Sequence, residues 1–312
     1  MKQFAVQNAW TIGLAVLLVL LLGLTKLIQP NFGLDGLDSL GRASLPFAFA
    51  TLGMAVVVIA GGIDLSIASL MAVCSVTAAV LMDGSSEGMS VLIVLGVLVL
   101  GAGLGAVNGT MIVTTRVPDI VVTLAMMFVW DGTALLILNA PGGGAADWMR
   151  NLILGGLIPK SFIFLGLVAL LVWLPIRRSK LRLMLYALGS DAQAAFRSGV
   201  PVKSTKIASY AIAGLFAAFG GLSVTMSTGI GEPIPGPYLL ASVAAVVLGG
   251  VSLTGGKGGL LGPILAVFIL RLVRLDLTLL AVDPNVTVII EGVIIVSVVM
   301  VGGVLALRGQ SR

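Results

Sequence analysis

The chain has 312 residues, 58% of them hydrophobic and only 10% charged, with a formal net charge of +5. Soluble domains are about 45–50% apolar and about 25% charged, so this composition excludes an ordinary water-soluble core and fits a lipid solvent. The absence of histidine and the single cysteine, Cys74, exclude a disulfide framework, a cysteine metal cluster and the usual serine-triad, zinc and haem chemistries.

A helix needs about 20 predominantly apolar residues to cross the hydrocarbon core. By that measure ten spans are predicted: Trp10–Ile28, Leu45–Ala60, Leu65–Met82, Val91–Val113, Ile120–Leu138, Ser161–Ile176, Ile207–Thr228, Tyr238–Leu253, Leu260–Leu280 and Val286–Leu307. The first has the basic start of a signal peptide. No small-residue cleavage pattern follows it, so it reads as an uncleaved span. The longest connections, Asn139–Lys160 and Arg177–Lys206, are too short for a soluble domain. The expected architecture is therefore an all-α, multi-pass membrane protein forming one transmembrane domain over 1–312.

Charge sets the expected orientation. Between 177 and 206 lie Arg177, Arg178, Lys180, Arg182, Arg197, Lys203 and Lys206, opposed only by Asp191. This loop is +6 by itself, so the rest of the chain sums to −1. The basic balance is thus a topological signal, not a nucleic-acid footprint, and it assigns the loop to the cytoplasm. Counting outward puts both termini in the cytoplasm and the connections at Asp83–Gly88 and Gly229–Pro237 outside. Arg116 and Lys257 fall inside as the rule prefers, whereas Arg42, Arg150 and Lys160 fall outside.

Glycine pairs interrupt two spans. Val58-Ile59-Ala60-Gly61-Gly62 can be laid on Val246-Val247-Leu248-Gly249-Gly250, which makes the second and eighth spans look alike and parallel. Internal duplication and chance matching of apolar runs both account for the likeness. Broken backbone in lipid is tolerated only where protein or a water-filled cavity satisfies it. Gly61, Gly62, Gly249 and Gly250 are accordingly either gate or cavity-lining residues or tight turns at a membrane edge. Asp64, just beyond the first pair, is expected to cap the next helix in preference to touching a substrate. The run Gly255-Gly256-Lys257-Gly258 is not a phosphate-binding loop, because Val251 and Gly258 occupy positions that need glycine and a hydroxyl residue.

Charges within spans point to function by default. Asp131 lies in mid-span, and Arg271, Arg274 and Asp276 lie in the ninth. The two arginines share a helix face. They could bond sugar hydroxyls, but an internal ion pair with Asp131 or Asp276 is the preferred reading, and Glu291 is expected to reach the headgroups. Within the basic loop, Leu185–Val200 reads as one short helix with Asp191 favouring its start and Ser198-Gly199 ending it. Rich in small residues, it is either a knob for a groove on another protein or a solvated loop held by anionic lipid.

At this loop the chain resembles the permease subunits of bacterial sugar ATP-binding-cassette (ABC) importers of the ribose, xylose, arabinose and galactose type. The resemblance covers nearly the whole chain. It rests on Gly61-Gly62-Ile63-Asp64-Leu65-Ser66, Asn108-Gly109, Val117-Pro118 with Thr123-Leu124, and Tyr186-Ala187-Leu188-Gly189 with Ala194-Ala195 and Ser198-Gly199-Val200. It rests also on Ala244-Ala245-Val246-Val247-Leu248-Gly249-Gly250-Val251-Ser252-Leu253 and Gly255-Gly256-Lys257-Gly258. The resemblance implies a pore of two permeases (two copies, or a related pair) in the bacterial inner membrane. A periplasmic sugar-binding protein would feed it and a cytoplasmic ATPase would drive it. ATP and magnesium would then belong to that partner, with no cofactor in this chain. The segment Tyr186–Val200 would be the coupling helix. Two other classes compete: an ion-coupled secondary transporter using Asp131 or Glu291, and a membrane enzyme, which the lack of histidine leaves poorly equipped.

Overall fold

The helix around which the others pack is the one with sixteen consecutive residues buried. In the computed structural model, which describes residues 9–155, 159–234 and 236–310, that helix is α2 (Leu34–Ile59), whose stretch from Ser44 to Ile59 is buried throughout. Around it lie α1 (Ala9–Ile28), α3 (Ile67–Met82), α4 (Glu87–Thr115), α5 (Asp119–Ile137) and the short α6 (Asp147–Asn151). Then follow α7 (Lys160–Arg178), α8 (Lys180–Ser190), α9 (Ala192–Arg197), α10 (Val202–Thr228), α11 (Tyr238–Leu248), α12 (Leu261–Leu279) and α13 (Pro284–Gln310). No strand occurs among the described residues.

Glycine sets how closely these helices approach. Gly101, Gly105 and Gly109, four apart on α4, face α10: a Cβ on Gly101 would stand 2.6 Å from the carbonyl oxygen of Gly214, and one on Gly109 2.8 Å from the Cα of Ile207. On Gly105 it would overlap the carbonyl oxygen of Tyr210. Without a hydrophobic force between helices in lipid, such backbone-to-backbone packing is what holds them together. α10 lies across α4, α2 and α3 together.

A helix falls on each predicted span, with one correction. Six of the helices, α1, α2, α4, α5, α7 and α10, are long and apolar enough to cross a bilayer. α11 ends at Leu248, five residues before the predicted end of the eighth span, and has 11 residues. At 1.5 Å per residue it is about 16 Å long, roughly half a hydrocarbon core. The Gly249-Gly250 pair stops it.

The connections sort to two ends. At one, Lys206 pairs with Asp119 at 2.7 Å, the Gly256 amide donates to the Ile59 carbonyl at 2.9 Å, and the Trp10 indole N–H donates to the Leu248 carbonyl at 2.8 Å. At the other, Gly142 bridges Gly231, the Gly144 amide donates to the Ala79 carbonyl, and the Trp148 indole donates to Ser90 Oγ at 2.7 Å. The groups that charge alternation assigns to one side thus lie together, as do those of the other.

Gly105→Ala should destabilise the chain by about 1–3 kcal/mol through overpacking. Gly103→Ala, where a methyl group meets nothing within 4 Å, should be neutral or gain roughly 0.5–1 kcal/mol in helix propensity. Thermal unfolding of the two variants in detergent checks the contrast.

Candidate functional site

The basic loop folds into two helices, not one. Ser179 opens α8 by accepting from the Leu181 amide at 3.2 Å. At Asp191 the backbone turns extended (φ −160°), and its carboxylate accepts from the amides of Gln193 at 2.8 Å and Ala194 at 2.9 Å. One aspartate therefore ends α8 and caps the start of α9, since a short acceptor side chain satisfies first-turn amides best. The expectation of a continuous helix from Leu185 is corrected by this break. Gly199, at φ +82°, closes the segment, and the Val200 amide returns to the Ala195 carbonyl at 3.0 Å.

The break divides the residues by direction. Leu185, Leu188 and Gly189 are buried, and Tyr186 and Ala187 are half-buried, against the body of the protein. Beyond it, Ala192, Gln193, Ala194, Arg197, Ser198 and Gly199 are exposed, Val200 is half-buried and only Ala195 is buried. Phe196 projects with 71% of its surface exposed. Composition gave no reason to single out Phe196. As the one aromatic residue of α9, among small and polar neighbours, it is nonetheless visible in the sequence as a misfit.

The glycine pairs make the same turn twice, in a register one residue away from the sequence alignment. After α2, the amides of Ala60, Gly61 and Gly62 donate to the carbonyls of Val56, Val58 and Val57. After α11, the amides of Gly249, Gly250 and Val251 donate to those of Ala245, Val247 and Val246. These are Schellman turns, which place one residue in the left-handed region where glycine carries no Cβ penalty. That residue is Gly61 (φ +77°) in the first and Gly250 (φ +82°) in the second, so Gly61 corresponds to Gly250 and not to Gly249. The carbonyl of the last residue of each helix lies beyond the turn's reach, and a distant group satisfies it: the Gly256 amide for Ile59, the Trp10 indole for Leu248. Gly249 itself is pressed against the backbone of Pro263. Two apolar grooves of about 380 Å³ each lie elsewhere, between α3 and α4 and between α1 and α12.

Beyond Gly61 the chain enters a buried polar network. Asp64 does not cap α3 directly; its Oδ1 accepts from the amide and hydroxyl of Ser66, at 3.0 and 2.6 Å. Asn108 Nδ2 donates to Ser66 Oγ at 2.7 Å, and Asn108 Oδ1 accepts from the Trp130 indole at 3.1 Å. The Leu65 amide donates to Thr123 Oγ1. A Cβ on Gly62 would stand 2.8 Å from the Tyr210 hydroxyl, which itself donates to Asp119 at 2.9 Å. The motif Gly61–Ser66 is thereby bound to α4, α5 and α10 by side chains that the sequence motifs separately mark.

The charged residues of the later spans pair differently from expectation. Arg274 Nε lies 3.5 Å from Glu291 Oε1, which pairs α12 with α13. Asp276 accepts from Thr25 of α1 at 2.7 Å. Arg271 lays its guanidinium over the Phe47 ring at 5.3 Å, a cation–π contact. Asp131 Oδ1 is buried without a hydrogen-bond partner among the described residues. Neither arginine meets Asp131 or Asp276, because α12 turns both toward α2 and α13. No group of three or more potential metal ligands occurs among the described residues.

Asn108→Ala would orphan the Trp130 indole and one side of Ser66 inside the protein, each at a cost of about 1–3 kcal/mol. The expected result is reduced yield and a lower melting temperature in detergent, measurable by a thermal shift assay; Thr110→Ala, exposed one turn-face away, should leave both unchanged.

Residues 36–299 match a family model described as branched-chain amino acid transport system / permease component. The ribose import permease protein RbsC of Escherichia coli K12 is 31% identical over 295 residues, covering 92% of this chain and 91% of that protein. RbsC of Haemophilus influenzae is 28% identical over 91% of this chain and 90% of its own length. The autoinducer 2 import system permease protein LsrD of Yersinia enterocolitica is 29% identical over 93% and 91% respectively. No solved structure matches the chain. A family match over most of the sequence, together with a relative above 30% identity aligned nearly end to end, makes this chain a member of the ABC-importer permease family, in the group that holds the sugar import permeases.

Proposed function

We propose that the chain is the membrane subunit of an ATP-driven importer that carries a monosaccharide, pentose or hexose, across the bacterial inner membrane. The observation that carries this reading is the exposed knob Asp191–Gly199 with Phe196 at its tip, set on a buried stem by the Asp191 break. The bare Phe196 side chain of this six-residue helix has no packing role within the chain, and an aromatic anchor in a pocket is what a stable protein contact uses. The knob lies in the loop that the positive-inside rule assigns to the cytoplasm, where a separate ATPase would reach it. Hydrolysis, with ATP and magnesium, belongs to that partner.

The end of the fold bearing the knob is then cytoplasmic, as are both termini, and the ten helical segments cross or half-cross the membrane with α11 as a discontinuous one. Ala194, Ala195, Ser198, Gly199 and Val200 form the docking face or hold its shape; Tyr186, Ala187, Leu188 and Gly189 form its stem. Asn108, Asp64, Asp131, Arg271 and Arg274 remain the polar residues nearest any path through the helices. A second permease copy or a related chain completes the pore, and a periplasmic binding protein supplies substrate. That the named relatives import ribose and autoinducer 2 supports a polyhydroxylated substrate. Ion-coupled transport finds less support, since Glu291 is engaged by Arg274 and Asp131 alone would have to serve.

Phe196→Ala should leave the melting temperature of the isolated chain unchanged but weaken retention of the ATPase at least tenfold, about 1.4 kcal/mol. Ala194→Glu should abolish co-purification altogether. Uptake driven by an ion gradient with no ATPase present would refute the proposal.

A further inference from the structure

Gly189 is the last buried residue before the Asp191 break. A Cβ there would overlap the Ile59 carbonyl oxygen and stand 2.6 Å from the Gly256 amide nitrogen. One on Gly255 would stand 2.9 Å from the Cα atoms of both Gly189 and Gly61, and one on Gly61 3.2 Å from the Gly189 Cα. Three backbones therefore meet with no side chain between them: the end of α2, the end of α8 and the α11–α12 connection. Hydrogen bonds lock the meeting. The Gly256 amide donates to the Ile59 carbonyl, and the Tyr186 hydroxyl donates to the Gly258 carbonyl at 2.7 Å. Burial raises the pKa of Tyr186 despite the opposing Arg182 guanidinium, which lies 5.6 Å from its ring centre, so the hydroxyl keeps its proton at neutral pH.

Such a joint is stiff for a simple reason. Side chains absorb small displacements by changing rotamer, whereas touching backbones have none to change, and close-packed interfaces move as bodies or switch between discrete arrangements. The connection from Ser252 to Gly258 is itself tight: Gly255, Gly256 and Gly258 all sit at positive φ, and the Ser252 amide donates to the Lys257 carbonyl. On the far side of Gly61, Gly62 abuts the Asp119–Tyr210 pair.

We propose that this joint, with Tyr186 as its positioning residue, transmits displacement of α9 at once to the turn after α2 and to the α11–α12 connection. The proposal rests on the coupling role given to α9 above. It makes Tyr186 and Gly189 residues that face the membrane domain and pass on the motion, not residues that bind the ATPase.

The test uses the complex with its ATPase in nanodiscs. Lys257→Cys in a Cys74→Ser background carries a nitroxide, and its spectrum is recorded before and after trapping with ATP and vanadate. Trapping should shift the spectrum in the parent. Tyr186→Phe should reduce that shift at least twofold and Gly189→Ala should remove it, both with the ATPase still bound, whereas Gly259→Ala, where a methyl group meets nothing within 4 Å, should change neither. A spectrum that ignores nucleotide, or one that shifts equally in the parent and in Tyr186→Phe, overturns the joint; should Gly189→Ala fail to insert, Tyr186→Phe decides alone. If Ala194→Glu releases the ATPase while Tyr186→Phe keeps the full shift, only the joint falls. If Ala194→Glu leaves the ATPase bound, the coupling reading falls and takes the joint with it.

Discussion

A helix that stops inside a membrane protein leaves four carbonyls without partners, and in hydrocarbon each unpaired group costs several kcal/mol. α2 and α11 both stop this way, and both solve it identically. Two of the four carbonyls are taken by a Schellman turn and a third by a donor far away in sequence, Gly256 for Ile59 and Trp10 for Leu248. The requirement reaches well beyond the turns. It forces the α11–α12 connection onto the end of α2 and the first helix onto the end of α11, and so gathers the segments that surround the basic loop.

Once gathered, these segments constrain the knob. The stem α8 can reach the end of α2 only because Gly189 has no side chain, and Asp191 then turns the chain outward by serving as the cap of α9. The sequence of causes runs from unsatisfied carbonyls, to a glycine contact, to an exposed Phe196. The exposed knob is therefore built on the need of two helix ends to satisfy their carbonyls.

The polar residues inside the bundle divide along similar lines. Ser66, Asn108 and Trp130 satisfy one another in a chain of short bonds, the ordinary fate of buried polar groups, while Asp64 accepts from Ser66 through Oδ1 and its Oδ2 is buried without a partner among the described residues. Arg274 and Glu291 face each other, and Asp276 is held by Thr25. Asp131 has a buried oxygen unpartnered among the described residues, and Arg271 is stacked on Phe47.

Apolar run length and the glycine pairs sufficed to locate the helices and to suggest two equivalent turns, because each of these is a local or additive property of the chain. Contact between segments was not legible in the same way. Nothing local says that Gly61 answers to Gly250 and not Gly249, since only the hydrogen bonds identify which glycine takes the left-handed place. Nor does spacing reveal that Arg274 meets Glu291, or that Gly101, Gly105 and Gly109 admit α10. The break at Asp191 depends on where α8 must end to pack Gly189 on Ile59. Those choices are made by which backbones touch, and that is a property of the tertiary fold alone.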